Sequence, residues 1–148
     1  MPKAMRGICL FAALALCAHA AQALEFRTAA KHGVVLYEAP SEKGRKLFTL
    51  SRATPLEVLV EQGDWLRVRD HKGSIAWIKK KDASAQRHLQ VIKAGSVHRE
   101  ASAKSAVVFK TEPDLLLEML ENTKTGWLKV KHRDGLTGFV RIEEIWGL

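Results

Sequence analysis

The 148 residues are 47% apolar, 27% charged and 7% aromatic, which excludes a disordered, collagen-like or disulfide-dense chain and leaves one domain or two small ones. Lys and Arg number 24 against 16 Asp and Glu, a formal net charge of +8 that favours acidic partners without naming one.

Lys3 and Arg6 precede an apolar run, Gly7 to Ala18, that is too short and too lightly flanked for a membrane-spanning helix. It is predicted to be a signal peptide rather than a retained anchor. Small-x-small sites stand at Ala18-His19-Ala20 and Ala21-Gln22-Ala23, and cleavage is placed after Ala23 because charge and alternation begin at Glu25. Leu16 before Cys17 argues against lipidation. Removing residues 1–23 takes Cys9 and Cys17 with it, so the mature chain has no thiol for a disulfide, a metal or a nucleophile. It also has no further apolar run long enough to span a membrane.

The rest of the chain repeats. Trp65-Leu66-Arg67-Val68-Arg69, Gly73 and Ala76-Trp77-Ile78-Lys79 recur 62 residues later as Trp127-Leu128-Lys129-Val130-Lys131, Gly135 and Gly138-Phe139-Val140-Arg141. Lys31, Gly33, Val35, Glu38 and Ala39 match Lys93, Gly95, Val97, Glu100 and Ala101 at the same offset, whereas Leu56-Glu57-Val58-Leu59 matches Leu117-Glu118-Met119-Leu120 at 61. Two modules are predicted, residues 24–84 and 85–148, joined through the polar stretch Ala83 to Arg87.

Each module has the pattern of short strands. Residues 65–69 and 127–131 alternate apolar with basic, the period of a half-buried strand. Turns follow at Asp70-His71-Lys72-Gly73 and His132-Arg133-Asp134-Gly135, and further strands at 75–78 and 137–140. Upstream strands are predicted over 56–60 and 115–120, giving a meander of about five strands per module. Residues 113–121 on their own would favour a helix, with good helix formers behind Pro113, but the repeat register favours a strand.

Tyr37-Glu38-Ala39-Pro40-Ser41, then Gly63-Asp64-Trp65-Leu66-Arg67-Val68, Gly73 and Trp77-Ile78 resemble the bacterial SH3-like domain. The second module resembles it again at Glu100-Ala101-Ser102, Gly126 to Val130, Asp134-Gly135, Gly138 to Val140 and Ile145 to Leu148, with Ser102 where the family has Pro. The resemblance implies an all-β chain of two consecutive small SH3-like barrels. It also implies an exported protein of the cell envelope, most naturally periplasmic, that binds cell-wall peptide or glycan, or docks an envelope protein as a structural or assembly partner. Fold alone does not choose between these.

The candidate ligand residues are Tyr37, Glu38, Pro40, Trp65, Arg99 and Trp127. Tyr37 lies in a loop-like segment beside Glu38 and Pro40, and the resemblance puts such a residue near the ligand face; at the 62-residue offset Arg99 takes its place in the second module. Trp65 and Trp127, at strand starts beside polar loops, are divided between core and groove. Trp77, Phe139 and Trp146, bracketed by apolar strand residues, are assigned to packing. The basic runs, among them Lys79-Lys80-Lys81 and Arg67 with Arg69, form a solvated strand face, and export argues against nucleic acid. His32, His71, His88, His98 and His132 have no ligand spacing, so no metal is expected. There is no Gly-x-Ser-x-Gly elbow or other catalytic motif, so neither an enzyme nor a cofactor is expected. Oligomeric state is left open.

Overall fold

Strand alternation is carried out in space by β5 (Trp65–Arg69) and β6 (Ile75–Lys79), whose Leu66, Val68, Ala76 and Ile78 point inward while Trp65, Arg67 and Trp77 point out. The computed structural model describes residues 23–148. The segment predicted as a signal peptide lies, but for Ala23, outside them. Among the described residues no helix is long and apolar enough to cross a membrane.

The first unit adds β1 (Glu25–Ala29), β2 (Val34–Tyr37), β3 (Lys46–Leu50), β4 (Pro55–Gln62) and the two-residue β7 (Ala83–Ser84) to an antiparallel sheet of order β3-β2-β6-β5-β4-β1-β7. The second repeats it strand for strand. Its elements are β8 (His88–Val91), β9 (Gly95–His98), β10 (Val107–Thr111), β11 (Leu116–Asn122), β12 (Trp127–Lys131), β13 (Thr137–Arg141) and β14 (Ile145–Trp146), in the order β10-β9-β13-β12-β11-β8-β14. A 3₁₀ turn, Lys80–Asp82 or Ile142–Glu144, precedes the last strand of each unit. The chain is therefore all-β in two tandem units, each with seven strands rather than the five expected. The edge strands β3 and β10 escaped the pattern because their apolar residues are mostly exposed or only half covered.

Each sheet encloses its own core. Val34, Leu36, Leu56, Leu66, Val68 and Ile78 fill the first, and Leu89, Val97, Leu117, Leu128, Val130 and Val140 the second. Residues 113–121 show why register overrides helix propensity. Leu117 is fully buried opposite Leu89 on β8, and a helix would remove both that contact and the β11–β12 ladder. The turn between β5 and β6 is held by the Asp70 carboxylate, which accepts the backbone N–H of Lys72 at 2.9 Å and of Ser74 at 2.8 Å, while Gly73 takes φ +88°.

The units touch through side chains that neither core uses. Trp146 of β14 meets Phe26 of β1 edge-on at 5.0 Å, and the Arg87 guanidinium lies 5.7 Å from the centre of the Phe26 ring. Arg87 also donates to the Gly147 carbonyl at 2.7 Å, and the Thr28 hydroxyl donates to the Gln86 carbonyl at 2.9 Å. Trp146, assigned to packing from the sequence, thus packs across the junction.

One half-buried carboxylate gives a pH prediction. Asp82 in the first 3₁₀ turn pairs with Lys31 at 3.5 Å, but its counterpart Glu144 has a buried Oε2 with no hydrogen-bond partner, and burial raises its pKa. Gly95 makes the room, since a Cβ there would lie 2.3 Å from the Glu144 carboxylate. The native state holds this proton to higher pH than the unfolded chain does, so stability falls as pH rises from the ordinary carboxylate range through the raised native value. Glu144→Gln is expected to be more stable than wild type at neutral pH, with the advantage vanishing in acid; urea titrations across pH check this.

Candidate functional site

Tyr37 is the last residue of β2, not a loop residue, and is only 6% exposed. Alternation along β2 sends Val34 and Leu36 into the core and Tyr37, the cross-strand partner of Trp77, to the outer face, where neighbouring side chains cover it. The Tyr37 ring then backs Trp65, edge to face at 5.2 Å with planes at 89°. Trp65 itself is half-buried at the start of β5.

Around that indole the chain gathers charge. The backbone N–H of Lys80 donates to the Asp64 carbonyl at 2.8 Å, which ties the loop before Trp65 to the 3₁₀ turn that follows β6. Lys79, Lys80 and Lys81 are thereby brought beside the indole. The Lys79 ammonium stands 6.0 Å from the centre of the Tyr37 ring and pairs with Glu42, and Lys80 pairs with Glu61. Hydrogen bonding to Lys79 holds the Glu42 carboxyl below its usual range, Lys80 does the same for Glu61, and Glu42 in turn raises Lys79. Glu42, Asp64, Trp65 and the three lysines line a groove of about 500 Å³.

The second unit rebuilds the arrangement with other residues. Trp127 opens β12 and meets His98 edge-on at 5.5 Å, and the Arg141 guanidinium lies 5.4 Å from its ring and pairs with Glu143 at 3.3 Å. His98 Nδ1–H donates to the Ser105 carbonyl at 3.1 Å, which fixes the ring against the indole. The position of Tyr37 is therefore taken by His98, not by Arg99. Tyr37 pairs across strands with Trp77 and His98 with Phe139, and Ser41 and Ser102 form equivalent turns, their hydroxyls accepting from Lys43 and Lys104. Arg99 corresponds to Glu38 and is exposed.

Of the six residues expected at a ligand face, the structure brings Tyr37 and Trp65 together and sets Trp127 in the matching place. Glu38 is exposed and paired with Arg45 at 3.0 Å, and Pro40 is half-buried in the following turn; neither lines the groove. Trp77 and Phe139, assigned to packing, are half-buried on the outer faces of β6 and β13, because their inward neighbours Ala76, Ile78, Gly138 and Val140 fill the cores. The groove residues Glu42, Asp64 and Lys79–Lys81 were missed as a site. The lysine run alone gave a signal, and it had the pattern of a solvated face. Among the described residues no cluster of three or more His, Cys, Asp or Glu could hold a metal ion.

The family model described as the bacterial SH3 domain matches residues 30–84 and again residues 93–147. The chain belongs to the bacterial SH3 domain family. No curated protein matches the chain. Among solved structures it is similar to NlpC2 and NlpC1 from Trichomonas vaginalis, at 13% and 14% identity and a TM-score of 0.39 each, with 84% and 85% of this chain covered and 48% and 46% of theirs. An NlpC/P60 family protein from Bacillus cereus matches at 13% identity and a TM-score of 0.38, over 82% of this chain and 56% of that one. The two SH3 domains thus span about half the length of each of these proteins.

Proposed function

We propose that this tandem of SH3 domains is an exported, non-catalytic binding module of the cell envelope that recognises cell-wall peptide or glycan on the Trp65 platform of its first domain. The observation that carries the reading is the construction of that platform. A half-buried indole, braced by a buried phenol, is flanked by three lysines and two carboxylates in one groove. Such a surface stacks a sugar ring or the apolar flank of a peptide, while charges of both signs meet the carboxylates and amines that wall peptides carry. Membership of the family supports a binding role, and the predicted signal peptide supports export.

The second domain offers a related but less basic surface. Arg141-Ile142-Glu143 stand where the first domain has Lys79-Lys80-Lys81, so a ligand rich in carboxylates favours the first. Titration with a soluble muropeptide tests the assignment by NMR. The Trp65 indole N–H is expected to shift saturably and ahead of the Trp127 signal; an unmoved Trp65 signal overturns the reading.

A further inference from the structure

A second concave site lies between the domains. A cleft of about 630 Å³ has His32 and the β3–β4 loop of the first domain on one side, and β8, the β10–β11 loop, β11 and the β12–β13 turn of the second on the other. Its charges are unbalanced. Arg52 comes from the first domain and Lys131 and Arg133 from the second, and among the described residues none of the three has a carboxylate within ion-pair distance. The same walls carry two carboxylates, Asp114 and Glu118, so the lining holds three cations against two anions. Asp114 Oδ1 accepts the Gln90 amide at 3.1 Å and faces His71 Nε2 at 3.4 Å, and Glu118 faces the Gln86 amide at 3.5 Å.

Three imidazoles, those of His32, His88 and His132, complete the lining, and His132 is already engaged by Asp134. The backbone N–H of Arg52 donates to His32 Nδ1 at 3.2 Å, which leaves the ring proton on Nε2. His88 Nδ1 is buried and has no hydrogen-bond partner. Burial lowers the pKa of His88, so its ring adds no charge to the cleft at pH 7.

We propose that this cleft binds a small oxyanionic ligand, bearing phosphate or carboxylate groups, clamped between Arg52 of the first domain and Lys131 and Arg133 of the second. Guanidinium groups from opposite walls offer forked donors matched to such oxygens, and an anion between them offsets the mutual repulsion of three unpaired cations. Because the cations come from both domains, neither domain alone forms the site. It is separate from the Trp65 groove, so the failure of either reading leaves the other standing.

The test is titration of the full chain at constant low ionic strength, with inorganic pyrophosphate in one arm and citrate in the other, followed by NMR and calorimetry. Saturable shifts are expected at Arg52, His88 and Lys131 to Arg133, and the tighter arm identifies phosphate or carboxylate as the recognised group. Arg52→Gln and Arg133→Gln, both exposed positions whose folding is checked by circular dichroism, are each expected to weaken binding about tenfold. Lys110→Gln on the exposed edge strand β10 removes the same charge and is expected to leave affinity unchanged. The proposal is overturned by the absence of saturation in both arms into the millimolar range. An equal loss in Lys110→Gln also overturns it, because it would show only diffuse attraction to a basic surface.

Discussion

Leu128→Ala is expected to destabilise the second SH3 domain by about 3–4 kcal/mol, enough to consume most of the margin of a domain of this size. Leu128 is the second residue of β12 and fully buried, inside the cluster formed by Leu89, Val91, Val97, Leu117, Val130 and Val140. Removing its branched end forfeits the transfer free energy of those carbons. It also leaves a void that strands held in ladders on both sides, β11 and β13, cannot collapse to fill. Lys129→Ala, one residue along on the outer face, is expected to stay within about 0.5 kcal/mol of wild type. Urea unfolding followed by near-ultraviolet circular dichroism checks both. A loss below about 1 kcal/mol for Leu128→Ala would show that its pocket is not closed.

Gly138→Ala carries the second large effect, through overpacking. A Cβ at Gly138 would lie 2.5 Å from the His98 carbonyl oxygen and 2.5 Å from Val97 Cγ1, both on the neighbouring strand β9. The backbone must move, because one of those atoms belongs to it. A cost of about 1–3 kcal/mol is expected, at the upper end because β9 is held on its other edge by β10. The first domain has Ala76 at the matching place and buries it, so the same methyl group that is core in one domain is a clash in the other. Displacing β9 also displaces His98 from Trp127. Thermal unfolding measures the first consequence and the His98 ring signals the second; a variant as stable as wild type, with those signals unmoved, would contradict the close β9–β13 approach.

The all-β tandem was legible because a repeat multiplies weak local signals. No single stretch of 65–69 or 127–131 proves a strand, but the same alternation, turn and following strand at a fixed offset do. The error over Arg99 came from the same source. Strands β1 and β8, and later β5 and β12, are 62 residues apart, but β2 and β9 are 61 apart. One residue is lost in the loop after β8 and one is regained before Trp127. Gly33 and Gly95 concealed the loss, for they match as letters, yet Gly33 adopts φ +76° and Gly95 makes room for Glu144.

Other features could not be read in one dimension. Tyr37 is buried on an outer face because Trp65 of another strand packs against it and Trp77 stands opposite it, which no pattern within β2 reports. The lysines reach Trp65 only because a backbone hydrogen bond from Lys80 to Asp64 joins two segments sixteen residues apart in sequence. The cleft between the domains, and the role of Trp146 against Phe26, depend on how the two domains are set together, which no periodicity within either one reports.

The most direct test of the proposed function is sedimentation of the mature protein with purified peptidoglycan at low and near-physiological salt, beside a Trp65→Ala protein whose folding has been checked. Recognition on the Trp65 platform predicts binding that survives salt and falls at least about tenfold in the variant, because stacking is not screened as diffuse charge attraction is. Binding that salt alone abolishes, or that Trp65→Ala leaves intact, would contradict it.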